Sequence, residues 1–299
     1  MIYDVIVVGG SFAGLAAALQ IARARRQVLV LDSGVCRNRF ADRSHGLLTH
    51  DGTPPTEILA TAREQLLAYP TAHLEEARVE HAEGVDDGFS VTLASGERRE
   101  AKKLILATGI RDELPPVEGL EERWGKSVFH CPYCHGYELG EGMIGVLALR
   151  PASVKQAILL AEWGPVVLFT NGACEPDEAE TVHLHARGVV VEREPVEAFV
   201  DGETDCATRA RLSDGRVIPL AAVFLSPVTA MTNNLAQELG CAFDEDSTGP
   251  FIRKNEHLET TVPGVFACGD AARGEGNLSW AVGEGASAGI AAHQSLIFG

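Results

Sequence analysis

Apolar and polar positions along the chain fall into two successive copies of one pattern. Residues 2–8, Ile-Tyr-Asp-Val-Ile-Val-Val, form an apolar run that predicts a buried parallel strand. Residues 15–24 carry helical periodicity, and residues 28–31 predict a second strand that ends in Asp32. A polar, loop-like stretch over residues 36–56 follows, then a helix over about residues 55–68. Short strands at 79–82, 89–93 and 98–101, with a turn at Ser95-Gly96, predict an antiparallel meander. Residues 103–107 predict a returning parallel strand that closes at Thr108-Gly109.

The plan then repeats, because residues 144–172 align on residues 6–34 without a gap. Strand 144–149, helix 152–163 and strand 166–169 are followed by a second meander at 189–192, 198–200, 208–212 and 216–218, turning at Asp214-Gly215. Strand 222–225 closes it at Ser226-Pro227, where Thr108-Gly109 stood in the first copy. Self-similarity on this scale predicts an α/β protein of two Rossmann-like, three-layer domains, each with an antiparallel meander insertion. Near the C-terminal end, a short apolar strand runs into Gly269-Asp270. A helix follows from about Trp280 to Gln294, through Gly283, Gly285 and Gly289. Those glycines suit either close helix packing or a first turn whose N–H groups face a ligand.

The first copy carries Gly9-Gly10-Ser11-Phe12-Ala13-Gly14 between strand and helix. Gly9 permits a tight turn, Gly14 lets the helix approach the strand, and Asp32 is placed to bond a ribose hydroxyl. Ser11 replaces the middle glycine, yet it leaves room and can donate to a phosphate. Glycine fingerprint, flanking strands and acid together predict dinucleotide binding. In the gapless register the second copy has lost this fingerprint. Leu147 stands at the position of Gly9, Leu149 at Ser11, Ala152 at Gly14 and Thr170 at Asp32. Leucine carries bulk where a pyrophosphate needs bare backbone. Arg150 at the mouth of this turn can still meet a phosphate. The polar loop at 36–56, with Arg37, Asn38, Arg39, His45 and His50, reads equally as a cofactor-pocket wall or as a solvated loop.

The chemistry concentrates in His130-Cys131-Pro132-Tyr133-Cys134-His135-Gly136. Two cysteines at this spacing can close and reopen a small disulfide ring, and the setting lowers the thiol pKa. His135, directly after the second cysteine, suits proton transfer near neutral pH, with His130 as the alternate. A zinc knuckle would need four ligands with workable geometry, which this cramped motif does not supply. A structural disulfide or a pair of buried thiols stays open at this point.

Composition narrows the classes further. The chain has 299 residues, 45% of them hydrophobic, enough for two domains with sizeable cores. A formal net charge of −17 argues against nucleic acid as a partner. Seven cysteines, five of them scattered singly at Cys36, Cys174, Cys206, Cys241 and Cys268, do not make a secreted disulfide framework. They suit a reducing cytoplasm, where the one close pair reads as catalytic. With no basic leader and no apolar run of membrane-spanning length, neither a signal peptide nor a membrane partner is expected.

Four segments together resemble the low-molecular-weight thioredoxin reductase family, over nearly the whole chain. They are Gly9 to Gly14, Ala107-Thr108-Gly109, Cys131-Pro132-Tyr133-Cys134, and Val265-Phe266-Ala267-Cys268-Gly269-Asp270. The resemblance implies a discontinuous FAD domain at 1–113 and 229–299, and a nicotinamide-type insert at 114–228 carrying the cysteines. It implies FAD contacts at Gly9, Gly10, Ser11, Gly14, Asp32, Thr108, Gly109, Gly269 and Asp270, with Cys134 facing the flavin and Cys131 the substrate. It also implies a homodimer and a dithiol or disulfide substrate, either a small molecule or a thioredoxin-like protein. Two departures stand out. His135 replaces the family's usual acid, as in gliotoxin-type dithiol oxidases, and the lost second fingerprint sets NADPH use in doubt. The expectation is an FAD-dependent thiol–disulfide oxidoreductase. The alternatives are a dithiol oxidase using oxygen, a flavin-bound redox sensor without turnover, and an NAD(P)H dehydrogenase whose cysteines are incidental.

Overall fold

The computed structural model describes residues 2–202, 207–274 and 276–299, so Cys206 lies outside the described residues. The chain begins β1 (Ile2–Val8), α1 (Phe12–Arg23), β2 (Val28–Asp32), α2 (Pro55–Leu67) and β3 (Ala72–Glu76). It continues β4 (Val79–Val85), β5 (Gly88–Leu93), β6 (Arg98–Leu106), β7 (Ile110–Glu113), β8 (Val128–Phe129) and α3 (Pro132–His135). Then come β9 (Ile144–Leu147), α4 (Ala152–Leu160), β10 (Val166–Phe169), α5 (Glu178–Ala186) and β11 (Val190–Glu192). A meander of β12 (Val196–Asp201), β13 (Thr208–Leu212) and β14 (Val217–Leu220) leads to β15 (Ala222–Phe224) and β16 (Val228–Met231). The remainder is α6 (Leu235–Glu238), β17 (Phe243–Glu245), β18 (Pro250–Ile252), β19 (Val265–Ala267) and α7 (Leu278–Phe298).

Two compact units result. One comprises the residues up to Arg39, Leu47–Asp112 and Thr229–Gly299, the other Phe40–Gly46 and Glu113–Val228. In the first, β3, β2, β1, β6 and β19 lie parallel in that order. Its strands are apolar on both faces because both faces are covered. Val5, Val7, Val28 and Val30 pack with α1, α2 and α7 on one side. Ile6, Val8, Leu29 and Leu31 pack with the β4–β5 hairpin and α6 on the other. Residues 98–101 and 103–107, expected as two strands, are one. The first half of β6 pairs antiparallel with β5 and its second half parallel with β19, on the same edge. The Gly285 and Gly289 question resolves toward packing: a Cβ on either would run into α1, at the carbonyl oxygens of Ala13 and Ala17.

The second unit repeats the three layers. Its sheet runs β11, β10, β9, β15, β8. Ile144, Val146, Val166 and Leu168 face α4 and α5, whereas Leu147, Val167 and Phe169 face the meander. Residues 189–192, expected in the meander, instead supply the third parallel strand β11 beside β10. The gapless register between the copies also shifts by one. Gly9 N–H donates to Leu31 carbonyl, and Ala148, not Leu147, makes the same step with Phe169. Leu147 is the last strand residue, fully buried. The turn proper reads Ala148-Leu149-Arg150-Pro151, still without a glycine.

Candidate active site

In the second unit, β8 ends at Phe129, the chain passes His130, and α3 opens with Cys131 at its N-cap position and Pro132 in its first turn. Proline fits there because its missing N–H has no helical partner to lose. Cys131 and Cys134 form a disulfide, with Cα atoms 5.4 Å apart. The motif is wedged among aromatic rings. The imidazole of His135 stacks on Phe129 with centroids 4.1 Å apart, His130 lies 6.0 Å from Trp124, and Tyr133 meets the edge of Trp163 at 5.4 Å. A Cβ at Gly136 would collide with the indole of Trp163, so the helix end seats directly on that ring. Gln156 of α4 donates to the His130 carbonyl at 3.0 Å and ties the motif to the next helix.

His135 is half-buried, and burial, followed by the nearby His45, pulls its pKa down to about 4. It is therefore a neutral imidazole at ordinary pH, able to accept a proton. His45 comes from the segment 40–46 that packs in this unit, and its Nδ1 lies 3.4 Å from Glu138. Sequence spacing gave no sign that this histidine joins the motif. Linkage gives a stability test. An unfolded chain protonates His135 near pH 6.5, the folded chain only near pH 4. Between those values the unfolded state binds more protons, so this residue's contribution to stability falls as pH drops from 6.5 to 4. In a His135→Asn variant the loss of Tm across that window should be smaller than in the wild type, measured by calorimetry.

In the first unit the expected cofactor contacts converge at the carboxyl ends of β1, β2, β6 and β19, which share one edge of the sheet. Gly9 has φ +106°, and a Cβ there would strike the Ala107 carbonyl oxygen. A Cβ on Gly14 would strike the carbonyl oxygen of Gly9. Bare backbone is thus required on both sides of the turn, leaving a cradle before α1, whose N-cap Ser11 makes no side-chain cap bond. Asp32, at the end of β2, packs against Gly10 and accepts from Gly34 N–H at 3.2 Å and Arg63 at 2.6 Å. Thr108 and Gly109 follow β6, and the Thr108 carbonyl accepts from Thr232. Gly269 lies against Ala13 of α1. Asp270 accepts from Arg37 at 3.0 Å, and Arg37 also forks onto Asp112 at 2.6 and 3.0 Å. Burial opposes the charge on Arg37, but Asp112 and Asp270 outweigh it and hold the guanidinium protonated more firmly than usual. Arg37 and Asp112 were not separable from loop and strand by sequence. A glycine cradle at a helix start, with an acid at the next strand end, fits a flavin dinucleotide.

The corresponding edge of the second unit does not offer such a cradle. Ala148 is buried, Leu149 packs on the core, and the Leu149 N–H is taken by the Ser153 hydroxyl at 3.2 Å. Arg150 reaches Ser226 Oγ at 2.6 Å. Thr170 is buried, and the Asn171 side chain is engaged by Val196 N–H at 2.9 Å.

The remaining described cysteines are poor nucleophiles. Burial raises the thiol pKa of Cys36, Cys174 and Cys241. Burial, then Glu284, pushes that of Cys268 up to about 12. Site-resolved alkylation of the reduced, folded protein at pH 7 should modify Cys131 and Cys134 first and leave Cys268 untouched until denaturant is added. Among the described residues no group of three or more His, Cys, Asp or Glu is arranged to hold a metal ion. No helix among them is long and apolar enough to cross a membrane.

Comparison with known proteins places the chain by family and by fold. The pyridine nucleotide-disulphide oxidoreductase family model matches residues 3–285. Thioredoxin reductase tcpT of Claviceps purpurea is 33% identical, over 99% of this chain and 95% of its own. Thioredoxin reductase sirT of Leptosphaeria maculans is 32% identical, over 96% and 92%. The crystal structure of an oxidoreductase from Agrobacterium tumefaciens superposes with a TM-score of 0.96 at 48% identity, covering 100% of this chain and 99% of that one.

Proposed function

The chain belongs to the pyridine nucleotide-disulphide oxidoreductase family, as a thioredoxin reductase-like, FAD-dependent disulfide oxidoreductase, and from that premise we propose that it oxidises a dithiol substrate to a disulfide. The observation that carries the direction is the glycine-free second nucleotide turn, where the Leu149 N–H is taken by Ser153 and the Arg150 guanidinium is turned onto Ser226. In this reading no nicotinamide dinucleotide is held at that edge. His135, which follows Cys134 directly and is neutral at ordinary pH, is the side chain this reading uses to take the thiol proton.

In this reading FAD is held by Gly9, Gly10, Ser11, Gly14, Asp32, Thr108, Gly109, Gly269 and Asp270. A substrate thiol gives its proton to His135, and the thiolate attacks the Cys131 sulfur. The Cys131–Cys134 bond breaks, and Cys134 leaves as thiolate. The second substrate thiol, losing its proton to solvent, then attacks the mixed disulfide. The substrate departs as a disulfide and Cys131 departs as thiolate. Two electrons have passed from substrate to the cysteine pair. FAD, when bound, supplies the two-electron acceptor that restores the disulfide, with dioxygen or another oxidant drawing the electrons on. His130, which precedes the pair in sequence and whose carbonyl is fixed by Gln156, is the alternate proton carrier.

The test is an anaerobic titration followed at the flavin absorption band. A dithiol should bleach it and NADPH should not. Bleaching by NADPH alone would make the enzyme a reductase, as the names of its curated relatives read. A flavin indifferent to both would favour the sensor reading. Removing the base in His135→Gln should lower kcat/KM for the dithiol by about 10²-fold. It should also remove the acid limb expected near pH 4 in the wild-type profile.

A further inference from the structure

Glu284 is the sole acidic residue of α7, a helix built mostly from small and apolar residues. Its carboxylate is turned inward, with 14% of the side chain exposed. Oε2 accepts from the Gly269 N–H at 3.2 Å. Oε1 accepts from Lys254 Nζ at 3.2 Å and from Arg273 at 2.8 Å. Lys254 also donates to the Ala272 carbonyl at 2.7 Å, and the Arg273 guanidinium lies 4.2 Å from the centre of the Trp280 ring. The turn Gly269–Ala272 is therefore held at its first N–H by Glu284 and at its last carbonyl by Lys254.

Such a turn needs outside support. Gly269 has φ +68°, a conformation glycine enters freely and leaves as freely. A buried charge-assisted acceptor fixes it more firmly than a neutral one. The carboxylate of the next residue, Asp270, is held by Arg37. We propose that Glu284 is a positioning residue for the flavin: through Gly269 it sets the direction in which Asp270 meets the cofactor. This rests on the reading above that the Gly269-Asp270 turn contacts FAD. In place of a direct contact, Glu284 acts through backbone, and Lys254 and Arg273 hold its carboxylate in position.

The test uses apoprotein prepared from the full chain and titrated with FAD, reading the quenching of flavin fluorescence. Glu284→Ala should raise the FAD dissociation constant at least tenfold, about 1.4 kcal/mol. Glu284→Gln, which keeps an acceptor for Gly269 N–H, should recover most of that loss. Rescue by glutamine separates positioning from a general packing defect. Lys254→Met keeps the aliphatic stem, removes the bond to Ala272, and should weaken binding severalfold even if the Glu284→Ala protein does not fold. Wild-type affinity in both Glu284→Ala and Lys254→Met, or an equal loss in Glu284→Gln and Glu284→Ala, would overturn the proposal. A wild-type protein that takes up no FAD would instead overturn the cofactor reading on which it stands.

Discussion

Cys134→Ser is expected to cut dithiol turnover on the order of 10³-fold or more while leaving flavin content unchanged. Serine oxygen cannot form the reversible bond to Cys131, and no other described thiol can stand in. Cys36, Cys174, Cys241 and Cys268 all have raised thiol pKa values, and none is disulfide-bonded. Oxygen uptake with a small dithiol, measured beside the flavin spectrum, gives both halves of the result. Full activity in this variant would make the cysteine pair incidental and restore the plain dehydrogenase reading. Cys131→Ser should be equally inactive. It differs in leaving Cys134 free, so that alkylation of Cys134 in that variant reports its reactivity alone.

The second large effect is expected at Gly14. A methyl group there meets the Gly9 carbonyl oxygen, which is backbone and cannot rotate aside. Gly14→Ala should open the turn, raise the FAD dissociation constant by about 100-fold, some 2.7 kcal/mol, and yield colourless protein on purification. Gly283→Ala is the matched control. It also places a methyl on a helical glycine, but nothing lies within reach of it. That change should leave flavin binding intact and raise Tm slightly, since glycine in a helix costs up to about 1 kcal/mol against alanine. Retained colour in Gly14→Ala would show that the cradle before α1 is not where the dinucleotide lies.

Much of this architecture could be read from apolar periodicity, because buried parallel strands and amphipathic helices write themselves locally. β1, α1, β2, α2 and β10 appear where the pattern puts them. What escaped depends on partners distant in sequence. Strand β3 and helix α5 carry mixed, half-exposed side chains and leave no clean period. β6 changes neighbours midway, which alternation along one strand cannot reveal. β11 looks like a meander strand until β10 claims it. The one-residue slip between the two copies is invisible to a gapless alignment, yet it decides that Ala148 rather than Leu147 enters the turn. The site divides in the same way. Cys131, Cys134, His135 and the glycine fingerprint announce themselves by spacing. Asp112 and Glu284 do not, and Arg37 and His45 stand out only as members of a polar loop, because each is recruited by contacts with residues distant in sequence.

The join between β6 and β19 bears on how the chain acquires its shape during synthesis. One flank of β6, and the groove on α1 that Gly285 and Gly289 fill, stay uncovered until residues beyond 264 have left the ribosome. Most of the second unit, by contrast, is a single continuous run, Glu113–Val228, and can condense while translation is still under way. For that interval the sticky side of a half-built sheet must wait for its closing strand and helix. A stalled or shortened nascent chain is therefore most prone to clump through α1 and β6.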